Sequence, residues 1–241
     1  MASDRSGHGA GPFGLRHAHD GTVAPARADC PAFCHGPAAK CCQCRSAGLL
    51  PQVQQALLSQ GLMRTDGGGD DTPFNARQLT ENFIRIALFD EYDRGVGGAA
   101  VQRQTVSQLR RWVAPVRVGL RFGASVPPKE RATDRARIAS YLARLQGLTG
   151  HPIRLDDGNP NFYVYIVNEE ERQALGPALR AALPGVAGPD NAGLTDMLRS
   201  TYCLVYAQSS GSSSTYTGAF AVIRAEHPDL LRLSCLHEEI A

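Results

Sequence analysis

The sequence predicts an α/β (α+β) domain, a mixed β-sheet of about five strands with helices packed on it. Segments with apolar residues at helical spacing alternate with short β-branched and aromatic runs, in the order α, β, α, β, β, α, β, β, α. Clusters of Gly, Pro, Asn and Asp separate them, as short connections require. With 241 residues, 43% hydrophobic and 20% charged, the chain can bury the core of one domain.

Residues 1–48 are rich in Gly, Ala, Pro, His and Cys and show no period, the pattern of an irregular or disordered leader. In 49–71, Val53, Leu57 and Leu58 predict a short amphipathic helix closed by Gly61, and the run Asp66 to Asp71 with its three glycines reads as a linker. The domain proper spans 72–241. Leu79, Phe83, Ile86, Ala87 and Asp90 predict a helix over 75–91, ended by Gly95 to Gly98. Residues 112–120 alternate as a strand, with Pro115 near its start. Pro127 and Pro128 open a long helix whose apolar side carries Ile138, Tyr141, Leu142, Leu145 and Leu148, and Gly150 stops it. Two strands, around Ile153 and over 162–167, flank a turn at 156–160; there Asp156 and Asp157 are turn formers rather than an acid/base pair.

Asn168 followed by Glu169, Glu170 and Glu171 starts the next helix, which fades at Pro184 and Gly185. Residues 201–207 and 219–224 read as an antiparallel hairpin with a Ser-rich tip, and Pro228 begins the last helix.

A net charge of +2, with Arg interspersed among Asp and Glu, argues against a nucleic-acid partner. No run approaches the roughly 20 apolar residues of a transmembrane segment, and the first residues lack the apolar centre of a signal peptide. Gly67 to Gly69 has neither a strand before it nor a helix after it, so it is no nucleotide loop.

The most chemically loaded stretch is the last helix, Ser234-Cys235-Leu236-His237-Glu238-Glu239-Ile240-Ala241. A His-Glu pair behind an apolar lead-in is how the zinc-protease motif HExxH begins, two ligands on one helix face with a Glu between them that activates water. On this reading His237 is a metal ligand, Glu238 the general base and zinc the cofactor. The second ligand is expected just past Ala241, so the domain reads as truncated there and, with one ligand, inactive. Such a pair arises by chance in about one chain in four of this composition; its context is what recommends it. The helix follows the strand 216–224, which in zinc proteases is an edge that holds the substrate backbone. The alternative is a polar helix face opposite Leu230, Leu231, Leu233 and Leu236.

The seven cysteines divide into Cys30, Cys34, Cys41, Cys42 and Cys44 on one side and Cys203 and Cys235 on the other. The first group, with His35, is a weak zinc candidate whose spacing fits no standard finger. His17 and His19 belong to leader composition. Cys203 and Cys235 bracket a strand and the last helix, and a disulfide in an oxidising compartment and two buried free thiols both fit.

Several stretches resemble the bacterial domain-of-unknown-function family numbered 2927, some of whose members are described as putative lipoproteins. They are Gly61 to Asp66, Asn82-Phe83, Ala87 to Tyr92, Leu109 to Trp112, Pro115 to Val118, Leu145 to Gly150, Asn161-Phe162, Cys203 and Cys235 to Glu239. The resemblance implies a zincin-like, metallopeptidase-like domain in which a Gln of an HEExxQ-type helix replaces one zinc ligand. It also implies the periplasm or cell envelope, although no signal is visible in this sequence. A non-catalytic relative would instead bind a peptide, protein or peptidoglycan partner, through the strand near 216–224 or the groove above the last helix.

Overall fold

The computed structural model describes residues 38–63, 65, 74–94, 100–182, 201–209 and 213–241. Helix α1 (Ala38–Ser59) starts within the stretch expected to be irregular. Ala38, Ala39, Lys40, Gln43 and Arg45 are good helix formers, and that propensity was hidden by the Gly and Pro content further upstream. Gly61, at φ 67°, reverses the chain after it. The linker 66–71 and the candidate ligands Cys30, Cys34 and His35 lie outside the described residues.

Helix α2 (Ala76–Ala87) begins with a capping box: Asn75 Oδ1 accepts from Gln78 N at 3.0 Å and Gln78 Oε1 from Asn75 N at 2.9 Å. It ends four residues earlier than 91, because Phe89 opens a hairpin of β1 (Phe89–Arg94) and β2 (Ala100–Val106) that the sequence pattern had hidden. Residues 112–120, expected as one strand, are split into β3 (Arg111–Trp112) and β4 (Val116–Phe122), since Pro115 has no N–H for a ladder. The long helix α3 (Pro128–Thr149) runs between the expected Pro and Gly, with Gly150 left-handed at φ 68°. Then follow β5 (Ile153–Leu155), β6 (Phe162–Val167), α4 (Glu169–Gln173), α5 (Gly176–Ala182), β7 (Cys203–Ser209), β8 (Thr215–Arg224) and α6 (Asp229–Ile240).

The fold is α/β, with a six-stranded mixed sheet and the separate β1–β2 pair. β5, β4, β6 and β8 are parallel and in that order, so Val164 lies between Leu120 and Ala221. β7 runs antiparallel along one edge of β8; the other edge of β8 is shared by β3, at Thr215 and Tyr216, and by β6 from Ala219 onward. The strand at 216–224 is therefore interior, and the edge role expected of it falls to β7.

Strand side chains alternate between two cores. Val118, Leu120, Val164, Ile166, Ala221 and Ile223 face α3 and α6 through Ile138, Leu142, Cys235 and Leu236. Tyr165, Val167, Phe220 and Val222 face α5 through Leu179. Because both faces are covered, β6 reads as the unbroken run Phe-Tyr-Val-Tyr-Ile-Val. The chain thus leaves β4 toward one face and β6 toward the other, and their adjacent carboxyl ends form a topological switch point, where parallel sheets commonly place ligands.

Candidate functional site

Two regions collect the chemistry, the last helix and the carboxyl ends of the parallel strands. α6 is bolted to α3 at its start: Asp229 accepts from Arg137 at 2.6 and 2.9 Å, and the buried Arg232 donates to Glu130 at 2.8 Å and Asp134 at 3.2 Å. At its far end the exposed His237 ring stacks on Tyr141 with centroids 4.3 Å apart, and the Tyr141 hydroxyl donates to the His237 carbonyl at 3.2 Å. Partial burial, helped by the Arg144 cation, lowers the His237 pKa, so the ring is neutral at pH 7.

A neutral imidazole is a competent ligand, but the described residues do not complete an HExxH ligand set around it. The residue four on from His237 is Ala241 itself, not a position past the chain end. The second site of an HExxH pattern is therefore filled by a methyl group. Among the described residues, the group placed to share a cation is Cys203, Glu238 and Glu239, with ligand atoms within 4.8 Å of one another, and it does not include His237. The sulfur of Cys203 is already bonded to Cys235, with Cα atoms 5.9 Å apart, in a disulfide that ties β7 to α6. The set thus falls short of the three protein ligands a catalytic zinc usually takes.

At the switch point the crevice is filled from within. The loop Gly123-Ala124-Ser125, between β4 and α3, points donors at Glu171: its carboxylate accepts from Ser125 N at 2.8 Å, Ser125 Oγ at 2.7 Å and Asn168 N at 2.9 Å. A Cβ on Gly123 would run into that carboxylate, so only glycine permits the approach. Burial works to raise the Glu171 pKa, but the hydrogen bonds from Asn168, Ser125 and Ala124 outweigh it and the pKa falls. A loop that elsewhere could cradle an anionic ligand holds the chain's own carboxylate.

Beside it, Glu169 accepts from Arg172 at 2.7 and 2.9 Å and from the buried Arg224. Burial opposes its charge, yet the two guanidinium groups bring its pKa down to about 2. Glu226, just past β8, accepts from the Glu169 N–H at 2.8 Å. Next to it His227 is 4% exposed and lies edge-on to Tyr202, and among the described residues neither ring nitrogen has a hydrogen-bond partner. Burial, with Arg224 and Arg232 nearby, pushes its pKa down to about 3.

α1 lies against α4, and its Gln54 Oε1 accepts from Leu231 N at 2.9 Å, capping the start of α6. Sequence reasoning took Glu171 only as a helix-start acid and passed over His227. The signals were the Gly-Ala-Ser between a strand end and a Pro-opened helix, and a His between a strand end and the Pro that opens the last helix.

A third feature is a recess of about 290 Å³ between α2, the hairpin and the end of α6, lined by Phe83, Ile86 and Leu109 together with Asp90, Gln108 and Arg110.

These features define a disulfide-tied α/β domain with helices on both faces of a largely parallel sheet and a strand-end crevice occupied by its own acids. A family model described as "Protein of unknown function (DUF2927)" matches residues 76–241, and the chain belongs to that family. No curated protein and no solved structure matches it.

Proposed function

We propose that this chain is a non-catalytic binding domain of the bacterial envelope that takes an extended segment of a protein partner along the outer edge of β7. The carrying observation is the edge itself. Among the described residues β7 is paired on one side only, by β8, and Cys203 to Ser209 contains no Pro, Lys, Arg, Asp or Glu. Natural edge strands are usually guarded by such residues, and an unguarded edge of this length suits strand addition. Val205 and Ala207 are exposed on the α6 side, and Leu204 and Tyr206 are half-buried on the other, so an added strand meets different side chains on its two faces. The Cys203–Cys235 disulfide and the family's lipoprotein description support an oxidising location.

The test is selection of extended peptides on the full chain, followed by titration and hydrogen exchange. A selected peptide should protect the β7 amides and bind at least tenfold more weakly to the Val205→Lys, Ala207→Lys double variant. Protection elsewhere, with affinity unchanged in that variant, removes the reading.

A second reading is a zincin-like hydrolase with His237 as zinc ligand and Glu238 as base, favoured by the exposed His237 ring, whose pKa is lowered toward the neutral form a metal takes, directly before Glu238 on α6. Zinc content and peptidase activity, with Glu238→Gln as control, decide it. Metal-free protein whose peptide turnover ignores the substitution sinks it.

A further inference from the structure

The outer edge of β7 differs between its two faces and along its length. On the α6 side its first residue, Cys203, has its sulfur within 4.8 Å of a carboxylate oxygen from each of Glu238 and Glu239. The Cys203–Cys235 disulfide fixes that approach, because the two glutamates stand one turn beyond Cys235 on the same face of α6. Glu238 is exposed and Glu239 half-buried. Further along this face Val205 and Ala207 are exposed and uncharged. On the other face Leu204 and Tyr206 pack on the cluster of Phe220 and Val222, with the Tyr206 ring stacked on Phe220 at 5.6 Å. A strand added here therefore meets two acids at one end of one face, and apolar side chains from Leu204 to Ala207.

Given strand addition at this edge, on which the inference rests, we propose that β7 selects a partner segment with Lys or Arg opposite Cys203 and apolar residues opposite Leu204 and Tyr206. Directly opposed residues of paired strands share a face, with Cβ atoms roughly 5 Å apart, so a long cationic side chain opposite Cys203 reaches the two carboxylates. Both glutamates also interact within the chain. An ionised carboxylate accepts at about four positions, so a partner's cation shares them without displacing those contacts. A second copy's β7 does not fit this edge: between Thr201 and Ile223 the sequence has no Lys or Arg to lay against Cys203.

The probe is a library of random peptides as long as β7, seven residues, panned on the oxidised full chain. Each selected peptide is remade with Gln in place of its Lys or Arg. Peptides that protect the β7 amides from hydrogen exchange should carry a cation at one end of an apolar stretch, and their Gln versions should bind about fivefold more weakly at low salt. High salt should erase that difference, and so should Glu238→Gln with Glu239→Gln in the chain. Should the double variant fail to fold, Glu238→Gln alone, at an exposed position, takes its place and should reduce the difference. Peptides that protect β7 with no preference for a cation, or with one that the glutamate variants and salt leave unchanged, overturn the selectivity while strand addition stands. If no peptide protects β7, strand addition itself fails and the selectivity fails with it. A wild-type dimer that Val205→Lys turns into a monomer assigns the edge to a second copy and overturns the cationic partner.

Discussion

At the scale of single residues, the consequential groups are those whose ionisation the fold has fixed. His227 is held neutral, with its pKa lowered from 6.5 to about 3. Below pH 6.5 the unfolded chain takes up a proton that the folded one refuses, so this residue costs stability as pH falls from about 6.5 toward 3. Glu169 has the same sense in a lower window: its pKa is lowered from 4.5 to about 2, so its contribution is complete above about 4.5 and lost as pH falls toward 2. Urea unfolding at pH 7 and pH 4.5 separates the two. The wild type should lose markedly more stability between them than His227→Leu does, and parallel losses would show that His227 is not the titrating group. Gly123→Ala tests the filled crevice, since the added methyl displaces the Glu171 carboxylate from the Ser125 donors. We expect a loss of about 2–3 kcal/mol in urea unfolding, and a smaller loss when Glu171→Ala is already present.

Between elements, the Cys203–Cys235 bridge is the principal covalent tie, joining an edge strand to the last helix across 32 residues. Chain-entropy reasoning assigns such a loop about 3–4 kcal/mol. Cys203→Ser with Cys235→Ser should lower the unfolding free energy by that amount and move the urea midpoint down accordingly, and adding reductant to the double variant should change nothing further. A midpoint that does not move would mean that β7 is held by its ladder alone. The same scale shows what the sequence makes legible. α3, β6 and α6 are segments with apolar residues and clear boundaries, Pro128 and Gly150 for α3 and Pro228 for α6, so they stand where the pattern places them. The β1–β2 hairpin was hidden because Asp90 continues the helical spacing of Leu79, Phe83 and Ile86, and local pattern cannot say when a strand partner takes over. The interior position of β8 was equally hidden: which strand is an edge depends on pairings distant in sequence, such as Phe162 with Ala219. His237 looked like a ligand because a dipeptide carries no information about neighbours. Its stacking on Tyr141, 96 residues away, is a property of the packed helices.

Over the whole molecule, burial is uneven in a way that predicts where the protein opens first. The six-stranded sheet is covered on both faces, and Val118, Val164, Ala221, Val222 and Ile223 are completely buried. α2 has no buried residue: Leu79, Phe83, Ile84 and Ile86 are all exposed, Ile86 at 77%, and the β1–β2 hairpin is a two-stranded sheet of its own. Two-stranded hairpins are marginal without packing, and an amphipathic helix with its apolar side in water gains little from folding. Local opening free energy follows the apolar surface a segment buries. Native-state hydrogen exchange should therefore show α2, β1 and β2 opening at a small fraction of the free energy that protects β4, β6 and β8. Ile86→Asp, which touches an exposed side chain, should leave the sheet's protection unchanged while reducing any self-association. If instead the α2 amides exchange as slowly as those of β6, the apolar face is covered in solution, and sedimentation velocity at increasing protein concentration would reveal whether a second copy covers it.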